Sequence, residues 1–192
     1  MTASIIVTYY DPAGKKGQML ADALLSIGRC TASWVAQGDR VELILVHNGP
    51  SYCESVNEGL SRANGDYLVV LNDDIVMEDE RFLQKLCKPG VITAWQLGDF
   101  HLTKEKVPDA ACFAMSRDVF NKVGLMDLRY REGINFEDTD FFFTAKAAGI
   151  PFVDAEVKMK HLGNVTTQEY FSQTKWDKTY RNEALFREKW KV

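Results

Sequence analysis

Cysteine is sparse in this sequence. Cys30, Cys53, Cys87 and Cys112 stand far apart, with no C-x-x-C pair. That spacing disfavours a zinc site or a thioredoxin-like motif, and scattered thiols of this kind fit a reducing compartment. Long apolar runs are missing too: none approaches the roughly 20 residues a membrane span needs. The start, Met1-Thr2-Ala3-Ser4, has no basic stretch before its apolar run, so it does not read as a secretory signal. Positive charge is not in excess. Lys and Arg number 23 against 27 Asp and Glu, for a net charge of -4. This excludes the global basic footprint of a non-specific nucleic-acid binder, while a local basic patch stays open. No repeat, low-complexity segment or linker interrupts the chain. What is present is ordinary globular material: 46% hydrophobic, 11% aromatic and four Trp in 192 residues. That is enough to bury a core without staples. The expectation is one soluble, cytoplasmic domain with no integral membrane segment.

Three nearly continuous apolar runs mark the first part: Ser4–Thr8, Val41–Val46 and Tyr67–Leu71. Such runs suit parallel strands covered on both faces. Helical spacing over Gly17–Gly28 and Glu54–Ala63 separates them, giving the order β-α-β-α-β of a Rossmann-like sheet. Further on, Arg81–Cys87, Arg117–Val123 and Asp138–Ala148 read as helices. Val91–Leu97, Ala111–Ser116 and Phe152–Val157 read as strands. From Gln168 onward the chain is polar but studded with aromatics, as one or two amphipathic helices would be.

Open α/β sheets bind ligands beyond the carboxyl ends of their strands. The third run leads straight into Asn72-Asp73-Asp74. Oxygen-rich clusters of this kind suit Mg²⁺ or Mn²⁺, but an Asp here also suits a simple turn or cap. Glu137-Asp138-Thr139-Asp140 opens a helix with three acids in four positions. The helix dipole accounts for one or two of them. A third, beside the apolar Phe141-Phe142-Phe143, fits a carboxylate held at a pocket edge as a general base. His161 follows the last strand-like stretch and is either structural or a third group converging on Asp74.

In order and spacing, these residues resemble the inverting family 2 glycosyltransferases of the GT-A fold. Ser4–Tyr10 resembles the family's opening strand, and Ile44–Pro50 its second strand and turn. Asn57–Tyr67 resembles the helix and Ala-x-Gly-Asp-Tyr turn before strand three. Leu71-Asn72-Asp73-Asp74 stands at the DxD motif. Ala111–Arg117 with Val123–Asp127 resembles the G-x-x-x-x-x-R…G-x-F-D-E segment, and Phe136–Asp140 the Glu-Asp-x-Asp signature. His161 falls where many members keep a metal-binding histidine. The resemblance covers about Ser4 to His161. Two departures stand out: His47 replaces an Asp that helps read the base, and Asn72 replaces the first Asp of DxD.

The resemblance implies a single α/β domain with a central, mostly parallel sheet, a GT-A (Rossmann-like) core and a helical C-terminal segment. Residues 1–74 would bind the nucleotide, 75–164 would serve acceptor and catalysis, and 165–192 would form the tail. It implies sugar transfer from a nucleotide-diphospho-sugar donor to a hydroxyl acceptor by single displacement. Asp138 would be the base, with Glu137 the runner-up and Asp140 serving the helix terminus or a neighbour. Asp74 and His161 would hold Mn²⁺ or Mg²⁺. Thr8, Tyr10, Asn48, Arg62, Asn72 and Asp73 would meet the nucleotide sugar, and Arg181 the diphosphate. Trp95 and Asp99 would border the acceptor, which is a glycan, lipid-linked saccharide, protein or modified nucleic-acid base. Competing readings are a sugar-1-phosphate nucleotidyltransferase, from the faint phosphate-loop echo in Asp11–Gly17, and an inactive sugar-nucleotide-binding module.

Overall fold

The computed structural model describes residues 1–163 and 165–192. The first half runs β1 (Thr2–Tyr9), α1 (Gly17–Cys30), α2 (Ala32–Val35), β2 (Arg40–His47), α3 (Tyr52–Arg62) and β3 (Tyr67–Asn72). Then follow β4 (Ile75–Met77), α4 (Phe82–Leu86), β5 (Ile92–Ala94), β6 (Leu97–Asp99), β7 (Lys106–Pro108), β8 (Cys112–Ser116) and α5 (Arg117–Val123). The last part holds α6 (Glu137–Ala147), β9 (Phe152–Asp154), β10 (Met159–His161), α7 (Val165–Phe171) and α8 (Lys175–Trp190).

Six strands form the central sheet in the order β2-β1-β3-β8-β5-β9. β1 pairs in parallel with β2 and β3, and β5 with β9, while β8 runs antiparallel between β3 and β5. In β1 and β3 the apolar runs are continuous because both faces are covered, whereas β2, at the sheet edge, is covered only in part and leaves Leu43 exposed. Along β3, Leu68 and Val70 enter one core while Val69 and Leu71 enter the other. On β1, Ile6 joins the first core, and Ile5 and Val7 the second. A third cluster of Phe100, Tyr130, Phe136, Phe143 and Phe186 seats α8 on the domain. Burying each such ring is worth roughly 1.5–3 kcal/mol. This packing, more than helix propensity, holds the polar C-terminal segment.

Several elements differ from the sequence expectation. Val91–Leu97 is not one strand: β5 ends at Ala94, and the chain then turns into the β6–β7 hairpin. Phe152–Val157 stops at Asp154. There the Asp154 carboxylate accepts from Glu156 N at 2.9 Å, and Glu156 adopts a left-handed φ of 50° that no strand tolerates. β4 and β10, three residues each, form a separate antiparallel pair with Ile75 opposite His161. Among the described residues no helix is long and apolar enough to cross a membrane.

Candidate active site

The chain leaves β1 for β2 on one side of the sheet and returns to β3 on the other. The carboxyl ends of β1 and β3 therefore flank a topological switch point, with Thr8 opposite Asn72. A cleft of about 510 Å³ opens there. Thr8, Tyr10, Asn72, Asp73, Asp74, Glu137, Asp138 and His161 all line it.

The β4–β10 pair delivers the histidine. Leu162 N donates to Asp74 O at 2.9 Å, and His161 Nε2 comes within 3.2 Å of Asp74 Oδ1. That carboxylate raises the imidazole pKa. Yet no group among the described residues reaches the buried Oδ1 at a hydrogen-bonding angle, and the buried Asn72 Oδ1 is equally unpartnered. Orphaned buried acceptors are costly. Asp74 Oδ1 beside the imidazole nitrogen, with the Asn72 oxygen in the same cleft, makes an oxygen-rich donor set that fits Mg²⁺ or Mn²⁺. The 3.2 Å spacing is close to the roughly 3.0 Å expected of adjacent ligands on an octahedral ion with bonds near 2.1 Å. Among the described residues no group of three His, Cys, Asp or Glu is ready to hold a metal alone. Substrate oxygens and water must complete such a shell.

Asp73 points elsewhere. It forms a buried ion pair with Lys16 at 2.8 Å, and Lys16 Nζ also donates to Thr166 Oγ1 at 2.7 Å. Burial raises the Asp73 pKa more than Lys16 lowers it. Nearby, the Asp11 carboxylate accepts from Tyr9 OH at 2.6 Å, Lys15 N at 2.9 Å, Lys16 N at 2.7 Å and Tyr170 OH. Burial opposes its charge, but these four donors hold its carboxyl well below the usual range. The hub ties the loop after β1 to α7. Phe171, at the end of α7, stacks on Tyr10 at 5.8 Å, and Lys178 Nζ lies 5.0 Å over the Phe171 ring. Val165, Thr166, Phe171 and Lys178 thus wall this edge of the cleft.

Glu137 and Asp138 begin α6 on another wall. The preceding Asn135 and Phe136 both have left-handed backbones, with φ of 61° and 69°. Asp138 Oδ1 is engaged by Thr139 N at 2.7 Å, and no bond involves its second oxygen among the described residues. Both carboxyl groups titrate high: burial is the first cause for each, joined by repulsion from Asp138 at Glu137 and from Asp109 at Asp138. Asp140 turns inward instead, accepting from Lys189 at 2.7 Å, Trp190 Nε1 at 2.8 Å and Tyr130 OH at 3.1 Å.

Other expected residues lie apart. Arg62 is exposed at the end of α3, paired with Glu58 at 3.0 Å. A helix between parallel strands returns to the opposite edge of the sheet, so its last turn is remote from Asn72, and Arg62 does not line the cleft. Asn48 does not line the cleft: its Oδ1 accepts from Asp11 N at 2.7 Å, and Gly49 and Pro50 form the wall. Arg181 pairs with Glu132 at 2.9 Å, and Asp99 with Lys106 at 3.0 Å on the exposed hairpin. Trp95 stands edge-on behind His161, with ring centroids 6.4 Å apart.

Lining residues that the sequence reading passed over include Tyr52, Asp109, Arg131 and Lys178. Arg131 and Lys178 have no carboxylate within ion-pair distance among the described residues. Their only sequence signal was isolated charge in polar stretches.

Residues 30–96 match the Glycosyl transferase family 2 sequence profile. None of the curated proteins matches the chain. The fold is similar to the catalytic domain of Drosophila β1,4-galactosyltransferase 7 in complex with xylobiose. That likeness has a TM-score of 0.63 at 13% identity and covers 95% of this chain and 80% of that one. It is also similar to the mannosyltransferase PcManGT from Pyrobaculum calidifontis in complex with GDP-Man and Mn²⁺. There the TM-score is 0.59 at 13% identity, covering 79% of this chain and 53% of that one. A third likeness is to S. aureus TarS in complex with UDP-GlcNAc, at a TM-score of 0.54 and 11% identity, covering 88% and 62%. Over residues 30–96 the chain is thus similar in sequence to the family 2 glycosyl transferases, and as a whole it shares the fold of these transferases.

Proposed function

We propose that this chain moves a sugar from a nucleotide-diphospho-sugar donor to a hydroxyl acceptor with inversion at the anomeric carbon, assisted by Mn²⁺ or Mg²⁺. The carrying observation is that the Asp74–His161 pair, with its unpartnered oxygen, shares one cleft with the Glu137–Asp138 carboxyl pair. Inverting transfer needs both things: charge stabilisation at the leaving diphosphate and a base for the acceptor hydroxyl. Asp74 and His161 would hold the ion, with Asn72 beside them; the ion would supply Lewis-acid stabilisation to the diphosphate. Asp138 takes the acceptor proton on its free oxygen. Burial raises its basicity toward working pH, which favours a general base. Thr8 and Tyr10 receive the nucleotide. Asp73 shapes that wall through Lys16. Residues 1–74 serve the donor and 75–164 the acceptor and chemistry, while 165–192 close over the cleft.

The nucleotidyltransferase reading loses support in the loop that suggested it. Lys16 is committed to Asp73, Lys15 to Glu169 at 2.5 Å, and both backbone amides to Asp11. This loop offers a phosphate little.

The test uses UDP-Gal, UDP-GlcNAc and GDP-Man, each with Mn²⁺. A bound donor at a hundred times its Kd should raise Tm by roughly 5–10 °C, followed by slow release of nucleoside diphosphate. Asp74→Ala and His161→Ala should each weaken metal-dependent donor binding by about tenfold or more, at least what losing an outer-sphere partner costs a metal site. Unaltered affinity in both variants overturns the ligand assignment. Binding without diphosphate release favours an inactive module, and pyrophosphate release from a nucleoside triphosphate favours a nucleotidyltransferase.

A further inference from the structure

The segment that leads into α6 is held by a residue from the other end of the chain. Asn182, on α8, is fully buried. Its Nδ2 donates to Asn135 O at 2.9 Å and Tyr130 O at 3.1 Å, and stands 3.5 Å from Glu137 Oε2. Its Oδ1 accepts from Arg181 Nη1 at 3.2 Å. Nothing larger than glycine fits opposite: a Cβ on Gly133 would lie 2.1 Å from Asn182 Oδ1. The clamped stretch carries the two left-handed residues Asn135 and Phe136. A bulky residue at positive φ is a genuine outlier that persists only where its surroundings over-determine it. Here they do, through the Asn182 amide, the Thr179 hydroxyl that accepts from Asn135 Nδ2 at 3.0 Å, and the packing of Phe136 against Phe186.

We propose that Asn182 is a positioning residue, whose amide fixes the turn at Gly133–Phe136 and so aims Glu137 and Asp138 into the cleft. The inference rests on the reading that this carboxyl pair takes the acceptor proton. A purely structural role in seating α8 is already filled: Lys189 and Trp190 bind Asp140, and Phe186 anchors the third aromatic cluster. The titratable groups facing Glu137 are Asp138 on its own helix and Tyr52 and Cys53 on α3. From α8 the Asn182 amide donates toward the carboxylate, with the Arg181 guanidinium behind it at 3.2 Å from Asn182 Oδ1, and Lys178 lines the same cleft.

Asn182→Asp keeps the shape and replaces the donor with an acceptor. Asn182→Ser is smaller and admits a water. The probe is nucleoside diphosphate release from whichever of UDP-Gal, UDP-GlcNAc or GDP-Man the wild type turns over with Mn²⁺. Both variants should lower kcat by about ten- to a hundredfold, the scale of a misplaced reacting group, with KM held within about twofold. In Asn182→Asp the acid limb of the pH–rate profile should move up by about one pH unit, because an added anion favours the protonated pair. A loss of Tm with kcat and the profile unchanged overturns the proposal. Should either variant fail to fold, hydrogen exchange of the wild-type Asn182 side-chain amide decides: protection is expected, and free exchange overturns it. Turnover unaffected by both Asp138→Asn and Glu137→Gln overturns the underlying reading instead.

Discussion

The two carboxylate clusters of the cleft are built from the same residue types and stand in opposite electrostatic conditions. At the end of β3, charge is compensated or poised to be: Lys16 pairs with Asp73, and Asp74 faces His161 with one oxygen still unpartnered. At the start of α6, buried Glu137 and half-buried Asp138 stand side by side with no cation within ion-pair distance among the described residues, only neutral donors such as Thr139 and Asn182. The first arrangement attracts a cation. The second favours holding a proton. On the proposed function, one cleft would separate the two tasks of sugar transfer by environment and not by residue type.

That contrast can be broken in order of expected effect. Asp138→Asn removes the proposed proton acceptor while leaving the β3 end intact. Turnover should fall by about 10²–10⁴-fold with donor binding retained, checked by diphosphate release and calorimetry. Unchanged turnover removes Asp138 from the mechanism. Lys16→Met makes the β3 end resemble the α6 end by leaving Asp73 buried without a partner. It should cost about 3 kcal/mol at neutral pH, a Tm drop of roughly 10 °C by calorimetry. The deficit should shrink as pH falls and Asp73 protonates. Glu137→Gln should act in the opposite sense on stability. The folded state raises the Glu137 pKa, so ionisation destabilises it as pH climbs past the ordinary carboxylate range. The variant should therefore gain roughly 2–4 °C in Tm at pH 8 and nothing near pH 4, while turnover falls. Equal Tm differences at both pH values would show that Glu137 is not held protonated by its surroundings.

Much of the first half was legible because its elements are long and its pattern local. Eight-residue strands leave an unmistakable run of Ile, Val and Leu, while the start of α3 at Tyr52, capped by the Ser51 hydroxyl on Glu54 N at 3.2 Å, lies ahead of the Glu54 expected from spacing. The second half was less so. Three residues such as Ile75–Met77 carry no periodicity, and their partner Met159–His161 is far along the chain. Yet this pairing is what carries His161 to Asp74. Arg62 was misleading because charge at a helix end says nothing about which sheet edge that end reaches. Asn182 sat unmarked in a polar helix, since a buried amide and a solvated one look alike in sequence.

The sequence by itself determined the sheet core, the placement of Asn72–Asp74 after a buried strand, and the acidic start of α6. Each follows from local periodicity and from strands needing two apolar faces. Tertiary structure alone decided which acids are paired, orphaned or pushed toward protonation. It also decided that Lys16, His161 and Asn182 act on them. Those outcomes depend on distance and burial between groups remote in the chain, and electrostatic energies in a low-dielectric interior are set by these two quantities.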